Sequence, residues 1–249
     1  PVLFTIYTDS HRAANEITKI IKYADDTAIL GLLNKSTNEE NYFRTIRQFT
    51  ESCERDGLQL NAKKTKEMII DFSRNDHQLQ QLRINNENIE RTSSYKYLGT
   101  TITQDLKWDE NIKKLCLKAW KKMYYVRMLR MFNINGKIIS TFYRSVVEST
   151  IRSGIVIWGH TVTRASRKKI ERIIKTGRRT TGNDQATFDS LLLHHTRQTS
   201  RNITNDPFHP LHHQFRLLPS GRRYASARTR TSRFNDSFIP RAIHIANSH

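Results

Sequence analysis

IIKYADDTAILGLL, residues 20–33, is the stretch on which the reading of the fold turns. Two short apolar segments, 20–24 and 27–33, are separated only by Asp25 and Asp26, a pattern that predicts strand, two-residue turn and strand. Adjacent carboxylates in an otherwise apolar hairpin are locally costly, because like charges repel and burial disfavours both ionised forms. One reading is a polar hairpin turn, for which aspartate is well suited. The other is a metal-binding turn, in which a rigid pair of strands presents carboxylate oxygens to divalent cations. Two such ions can stabilise the attacking and leaving oxygens of a nucleotidyl transfer.

Outward from the hairpin, Leu3, Phe4, Ile6, Tyr7, Ile17, Ile20 and Ile21 predict a helix over 3–22. Helical spacing returns over 38–56 through Tyr42, Phe43, Ile46, Phe49 and Cys53, and Gly57 stands where a helix stops. Short strand-like stretches at 58–61 and 67–72 flank the basic segment 62–66, and 95–102 is β-rich around Gly99. From Trp108 the period becomes helical. Ile112, Leu115, Ala119, Met123 and Val126 form one stripe, with Lys113, Lys114, Lys118, Lys121 and Lys122 off it. Further helices are predicted over 137–151, through Ile138, Phe142, Val146 and Ile151, and over 164–176, with Ile170, Ile173 and Ile174 inward. Gly136, Gly154 and Gly177 mark the expected joints. Beyond about residue 180 periodicity fades among Arg, Ser, Thr, His and Pro, which predicts an extended or partly ordered tail. The domains expected are 1–106, 107–180 and 181–249.

The 249 residues carry 42 Lys+Arg against 23 Asp+Glu, and the excess is uneven. Residues 1–106 hold 14 basic and 15 acidic side chains, whereas 107–249 hold 28 and 8. A basic helical half points to a polyanionic partner, because neutralising phosphates releases condensed counterions. No run approaches the ~18 apolar residues of a membrane span. Only Cys53 and Cys116 occur, which excludes a disulfide framework and a four-cysteine zinc site and predicts an intracellular setting, nuclear or cytoplasmic rather than secreted. The first residue is Pro1, and 1–8 lack a signal peptide's basic flank, so a piece of a longer chain is expected.

Other constellations read more plainly. His194, His195, His209, His212 and His213 lie far from both cysteines and read as solvated histidines rather than zinc ligands. Cys53 and Cys116 fall on apolar helix faces, as small core residues do. Trp108, Trp120 and Trp158 read as packing residues rather than stacking platforms. Gly-Arg-Arg occurs twice, placing Arg178, Arg179, Arg222 and Arg223 as phosphate contacts that would position a strand without reading its sequence.

Several blocks in order resemble the reverse transcriptases of non-LTR (LINE-type) retrotransposons: Pro1-Val2-Leu3-Phe4, Tyr23-Ala24-Asp25-Asp26, Gly57-Leu58-Gln59-Leu60-Asn61 with Lys63, Lys64 and Thr65, Tyr97-Leu98-Gly99, and Leu106 with Trp108. His209-Pro210-Leu211, the segment 218–224 and the segment 233–240 resemble C-terminal ends of such elements. The resemblance implies an α+β fold, a partial right-hand polymerase palm whose hairpin carries YADD, followed by a helical thumb and a basic, partly disordered tail. It implies that Asp25 and Asp26 hold Mg2+, or Mn2+, and that Tyr23 meets the primer end or the nucleotide unless it packs into the palm. Lys64 would protonate the leaving group, with Lys63 as the second choice, and Asn61 would hold the loop. The partners implied are an RNA template, a DNA primer and the upstream polymerase and endonuclease portions of a parent polyprotein. The family's third carboxylate lies upstream, so the fragment itself would be inactive. Residues 108 to about 130 also resemble a short helical segment of AlkB-like tRNA-modification enzymes. No H-x-D…H iron-ligand pattern accompanies it, so that likeness reads as a shared basic helix.

Overall fold

The computed structural model describes residues 2–9, 17–33, 36–72 and 79–248. The chain divides into two compact units, Pro1–Tyr95 and Lys96–His249. In the first, helix α1 covers Val2–Tyr7, strands β1 and β2 cover Thr18–Tyr23 and Asp26–Gly31, and helix α2 covers Ser36–Arg55. The helix expected over 3–22 is therefore short. Residues 10–16 of that expectation lie outside the described residues, and Thr18 onward is strand. Residues 18–23 instead pair antiparallel with 26–31, where β-branched Thr18, Ile20 and Ile21 suit a strand.

Tyr23 stands opposite Asp26, so the hairpin turn is Ala24-Asp25 and not Asp25-Asp26. Ala24 takes φ +51, the left-handed backbone that a two-residue hairpin turn demands. Helix α2 ends in a Schellman motif: Gly57 has φ +71, its N–H donates to the Glu54 carbonyl at 3.0 Å, and the Leu58 N–H donates to Cys53 at 2.8 Å. Of the two strand-like stretches around 62–66, only Lys66–Glu67 (β3) is strand, and it pairs in parallel with β6, Glu90–Arg91. Between these, β4 (Arg83–Ile84) and β5 (Glu87–Asn88) make a small hairpin over Asn85-Asn86, both with positive φ. Ile46, Leu82, Ile84 and Ile89 form the unit's small core, with Tyr42 packed against it. Burial there pushes the Tyr42 hydroxyl up to about 12.

Strands β7 (Ser94–Tyr97) and β8 (Thr100–Thr103) pair across Leu98-Gly99, the break expected at Gly99. Helix α3, Asp109–Met131, then organises the second unit. Ile112, Ala119, Met123 and Val126 are fully buried and Leu115 nearly so, the stripe its spacing predicts. Against it pack α4 (Gly136–Tyr143), a π-helical segment (Arg144–Glu148), α5 (Ser149–Arg152) and α7 (Arg164–Thr181); α6 (Ile155–Trp158) lies between.

The inward face of 136–152 keeps Ile151 as expected but otherwise departs from the expected one, with Phe142 and Val146 only half-buried. Ile138 is 60% exposed, while Ile139, Tyr143, Val147 and Ile151 are buried. Residues spaced by four drift about 40° per step around a straight α-helix. The wider π turn takes up that drift and keeps all four on one side. Within the π segment the Val146 carbonyl accepts from the Lys122 ammonium at 3.1 Å, and the same ammonium donates to Thr150 Oγ1 at 2.8 Å. Lys122, expected outside, is thus half-buried, and burial lowers its pKa.

Gly177 is not a joint: α7 runs through it to Thr181. A Cβ there would meet the Tyr143 ring at 2.3 Å, so glycine is what lets α7 lie against α4. The segment after 180 is likewise more ordered than expected. Helix α8 covers Phe188–Asn205, capped by Thr187, which accepts from the Ser190 N–H at 3.1 Å. Helices α9 (Ser232–Asn235) and α10 (Phe238–Asn247) follow, and Ile203, Phe215, Ala242 and Ile243 bury one another in a satellite core. Replacing Gly177 by alanine is expected to destabilise the chain by about 1–3 kcal/mol through overpacking. Urea unfolding of Gly177→Ala measures this, with Ala165→Gly on the exposed face of α7 as the variant that moves only by helix propensity.

Candidate nucleic-acid interface

The hairpin contributes two carboxylates and no more. Asp26 opens β2 opposite Tyr23, Asp25 sits in the turn, and all three side chains are exposed. Among the described residues no third His, Cys, Asp or Glu groups with them. Two exposed carboxylates would supply two of the six oxygens of an octahedral Mg2+, whose remaining ligands are ordinarily waters and substrate phosphates. Lys63 and Lys64 are exposed on the 61–65 loop, and among the described residues no ion pair joins either to Asp25 or Asp26. Asn61 does hold that loop: its Oδ1 accepts from the Lys64 N–H at 3.1 Å and its carbonyl from the Thr65 N–H at 3.0 Å.

The second unit assembles charge on a larger scale. It holds 29 of the 42 Lys and Arg residues and 9 of the 23 Asp and Glu. The start of α7 is fixed to the start of α3 through one carboxylate. Asp109 Oδ1 accepts from Thr163 Oγ1 at 2.8 Å and from Ser166 Oγ at 2.5 Å, while Thr163 caps α7 by accepting from the Ser166 N–H. Those two hydroxyls hold the Asp109 carboxyl below the usual carboxylate range.

With Ile170, Ile173 and Ile174 turned inward, α7 turns Arg164, Lys168, Arg172, Lys175 and Arg179 outward. Their spacings of four, four, three and four keep them within about 80° of the helix circumference. No ion pair among the described residues engages any of the five. The neighbouring arginines are structural. Arg167 pairs with Glu171 at 2.9 Å and with Asp189, and stacks 5.5 Å from the Phe188 ring. Arg178 donates through Nε and Nη2 to the Gln185 carbonyl and pairs with Asp184. The first expected phosphate-binding pair therefore splits: Arg179 is available and Arg178 is a brace. Arg222 and Arg223 are both exposed, on a loop closed by the Leu217–Tyr224 bridge. On α3, Lys113, Lys118, Lys121, Tyr124 and Tyr125 are exposed, whereas Lys114 pairs with Glu110 at 2.6 Å.

The histidines make no metal group among the described residues. His212 Nδ1 lies 3.0 Å from the Ile203 carbonyl, which assigns it as donor there. His160, unremarked in the sequence, is the more informative ring. Its Nε2 is 2.9 Å from Thr196 Oγ1, and that hydroxyl donates to the Leu192 carbonyl at 2.8 Å, so the ring must donate through Nε2. Trp158 is fully buried, Trp108 and Trp120 pack against the same core, and Cys53 and Cys116 are buried, as expected. No helix of the described residues is long and apolar enough to cross a membrane.

Compared with known proteins, residues 108–149 match the family model described as alkylated DNA repair protein alkB homolog 8, N-terminal. The match spans α3, α4 and the π segment, well under half of the chain. No curated protein and no solved structure matches. The match corrects the reverse-transcriptase reading: the family similarity that the chain carries is to alkB homolog 8, not to a retrotransposon polymerase. It also corrects the extent of the AlkB-like likeness, which continues past 130 and takes in buried packing positions as well as the basic surface.

Burial lowers the pKa of His160, with Arg241 adding to it and Asp236 opposing, and burial likewise lowers that of His195. Both fold as neutral rings, so the unfolded chain binds the extra protons first as pH falls through about 6.5. Stability is expected to be full at pH 7.5 and above, and to decline as pH drops below that value toward the folded pKa values. Urea midpoints between pH 8 and 5.5 check this, and His160→Gln is expected to flatten the decline.

Proposed function

We propose that the second unit binds the phosphate backbone of single-stranded nucleic acid, without sequence preference, and that the outer face of α7 is the principal contact. The observation that carries the reading is the row Arg164, Lys168, Arg172, Lys175 and Arg179, exposed and free of ion pairs among the described residues. Cations left unpaired on a rigid helix are the groups whose counterion release drives polyanion binding. Phosphate contacts position a strand and carry no base information, hence the absence of sequence preference. Exposed Tyr124 and Tyr125, among the lysines of α3, offer rings on which unpaired bases stack, which favours single strands over duplex. A family named for repair of alkylated DNA, matched across α3 and α4, agrees with a nucleic-acid ligand.

The test is a salt titration of single-stranded RNA binding by the full chain and by its Lys168→Gln/Arg172→Gln/Lys175→Gln variant. Each phosphate contact on a single strand contributes about 0.7 to the slope of log affinity against log salt. Removing three cations is expected to flatten that slope by about 2 and to weaken binding equally for unrelated sequences. An unchanged slope would show that the row is only a solvated surface.

A further inference from the structure

A cavity of about 470 Å³ opens beside the C-terminal half of α8. Arg197, Ser200, Arg201 and Thr204 line one side of it, at the three- and four-residue spacings that put them on one helix face. Phe215 and Tyr224 line it as well, and among the described residues no acidic side chain does. The two rings meet edge to face, with centroids 5.9 Å apart, so buried Phe215 fixes the orientation of half-buried Tyr224. The Tyr224 backbone is clamped too: its N–H donates to Asn247 Oδ1 at 2.8 Å, and its carbonyl accepts from Asn247 Nδ2 at 2.9 Å. The wall is therefore built before any ligand arrives, which lowers the ordering cost of binding.

Two guanidiniums four residues apart and a fixed aromatic ring define a ligand with a phosphate at one end and a flat ring at the other. Arginine forks suit phosphate oxygens, and the ring suits a nucleobase. A cavity of this size lies within the range that holds small organic ligands. We propose that this cavity binds one nucleoside monophosphate unit, its phosphate on Arg197 and Arg201 and its base against Tyr224. The unit has two sources, a free mononucleotide or the 5′-phosphorylated end of a bound strand. The second source rests on the strand-binding reading above, and the first does not.

Calorimetry on the full chain separates them, with AMP, inorganic phosphate, and octathymidylate bearing either a 5′-phosphate or a 5′-hydroxyl as probes. AMP is expected to bind more tightly than inorganic phosphate, and Arg201→Gln or Tyr224→Leu to weaken AMP by about tenfold, the order of one stacking or charged contact. Tyr224→Phe keeps the ring and is expected to bind AMP as the unaltered chain does, which guards against a folding artefact. Lys168→Gln/Lys175→Gln should weaken the octamer and leave AMP unchanged, so the two sites fail separately. A gain of about tenfold from the 5′-phosphate on the octamer assigns the strand end as the source. AMP binding without such a gain assigns the free nucleotide. No AMP binding, AMP binding untouched by both weakening variants, or phosphate binding as tight as AMP overturns the proposal.

Discussion

The second unit depends on the burial of one side of α3. Ile112, Ala119, Met123 and Val126 have no accessible surface, and four other segments are arranged by the need to cover them. At about 25 cal/mol per Å² of apolar surface, such a stripe is the dominant local driving force. Its consequence for function is indirect but strict. Each helix that gives its apolar stripe to α3 must turn its remaining face to water, and on α7 that face is cationic. The basic row is thus a by-product of the same pattern that builds the core.

Fine adjustments make that packing possible. The π segment brings Ile139, Tyr143, Val147 and Ile151 onto one side, Gly177 lets Tyr143 approach α7, and Asp109 locks the first turns of α3 and α7 together. Lys122 spends its charge inside this frame, on Val146 and Thr150, and is lost to any ligand. Charge counted from the sequence therefore overstates the charge available for binding. Arg178 and Arg167 make the same point.

Much of this was legible in the sequence where periodicity was strong. The α3 stripe, the inward isoleucines of α7 and the stop at Gly57 all stand where spacing puts them. Reading failed where a local rule was outweighed. A straight-helix period cannot foresee a π turn, so the spacing that runs through Ile138 misses Ile139 as the buried residue. The buried face of α8 includes Thr196 and Ser200, whose hydroxyls are satisfied by backbone carbonyls, and polar residues on a buried face erase the hydrophobic signal. Thr187, four residues ahead of Leu191, was the one available clue. The YADD hairpin formed, but its turn shifted by one residue, and motif order alone led to a family that the comparisons do not support. The cavity beside α8 had no signature at all, since Phe215, Tyr224 and Arg201 meet only through the fold.

The central claim is that nucleic acid lies along the outer face of α7 while the α3 core stays closed beneath it. Lysine acylation of the full chain, read by mass spectrometry with and without saturating single-stranded RNA, tests it most directly. Lys168 and Lys175 should lose most of their reactivity on binding, while Lys122, held by Val146 and Thr150, should react slowly in both states. Equal reactivity of Lys168 and Lys175 with and without RNA, in a sample where RNA is demonstrably bound, would contradict the account.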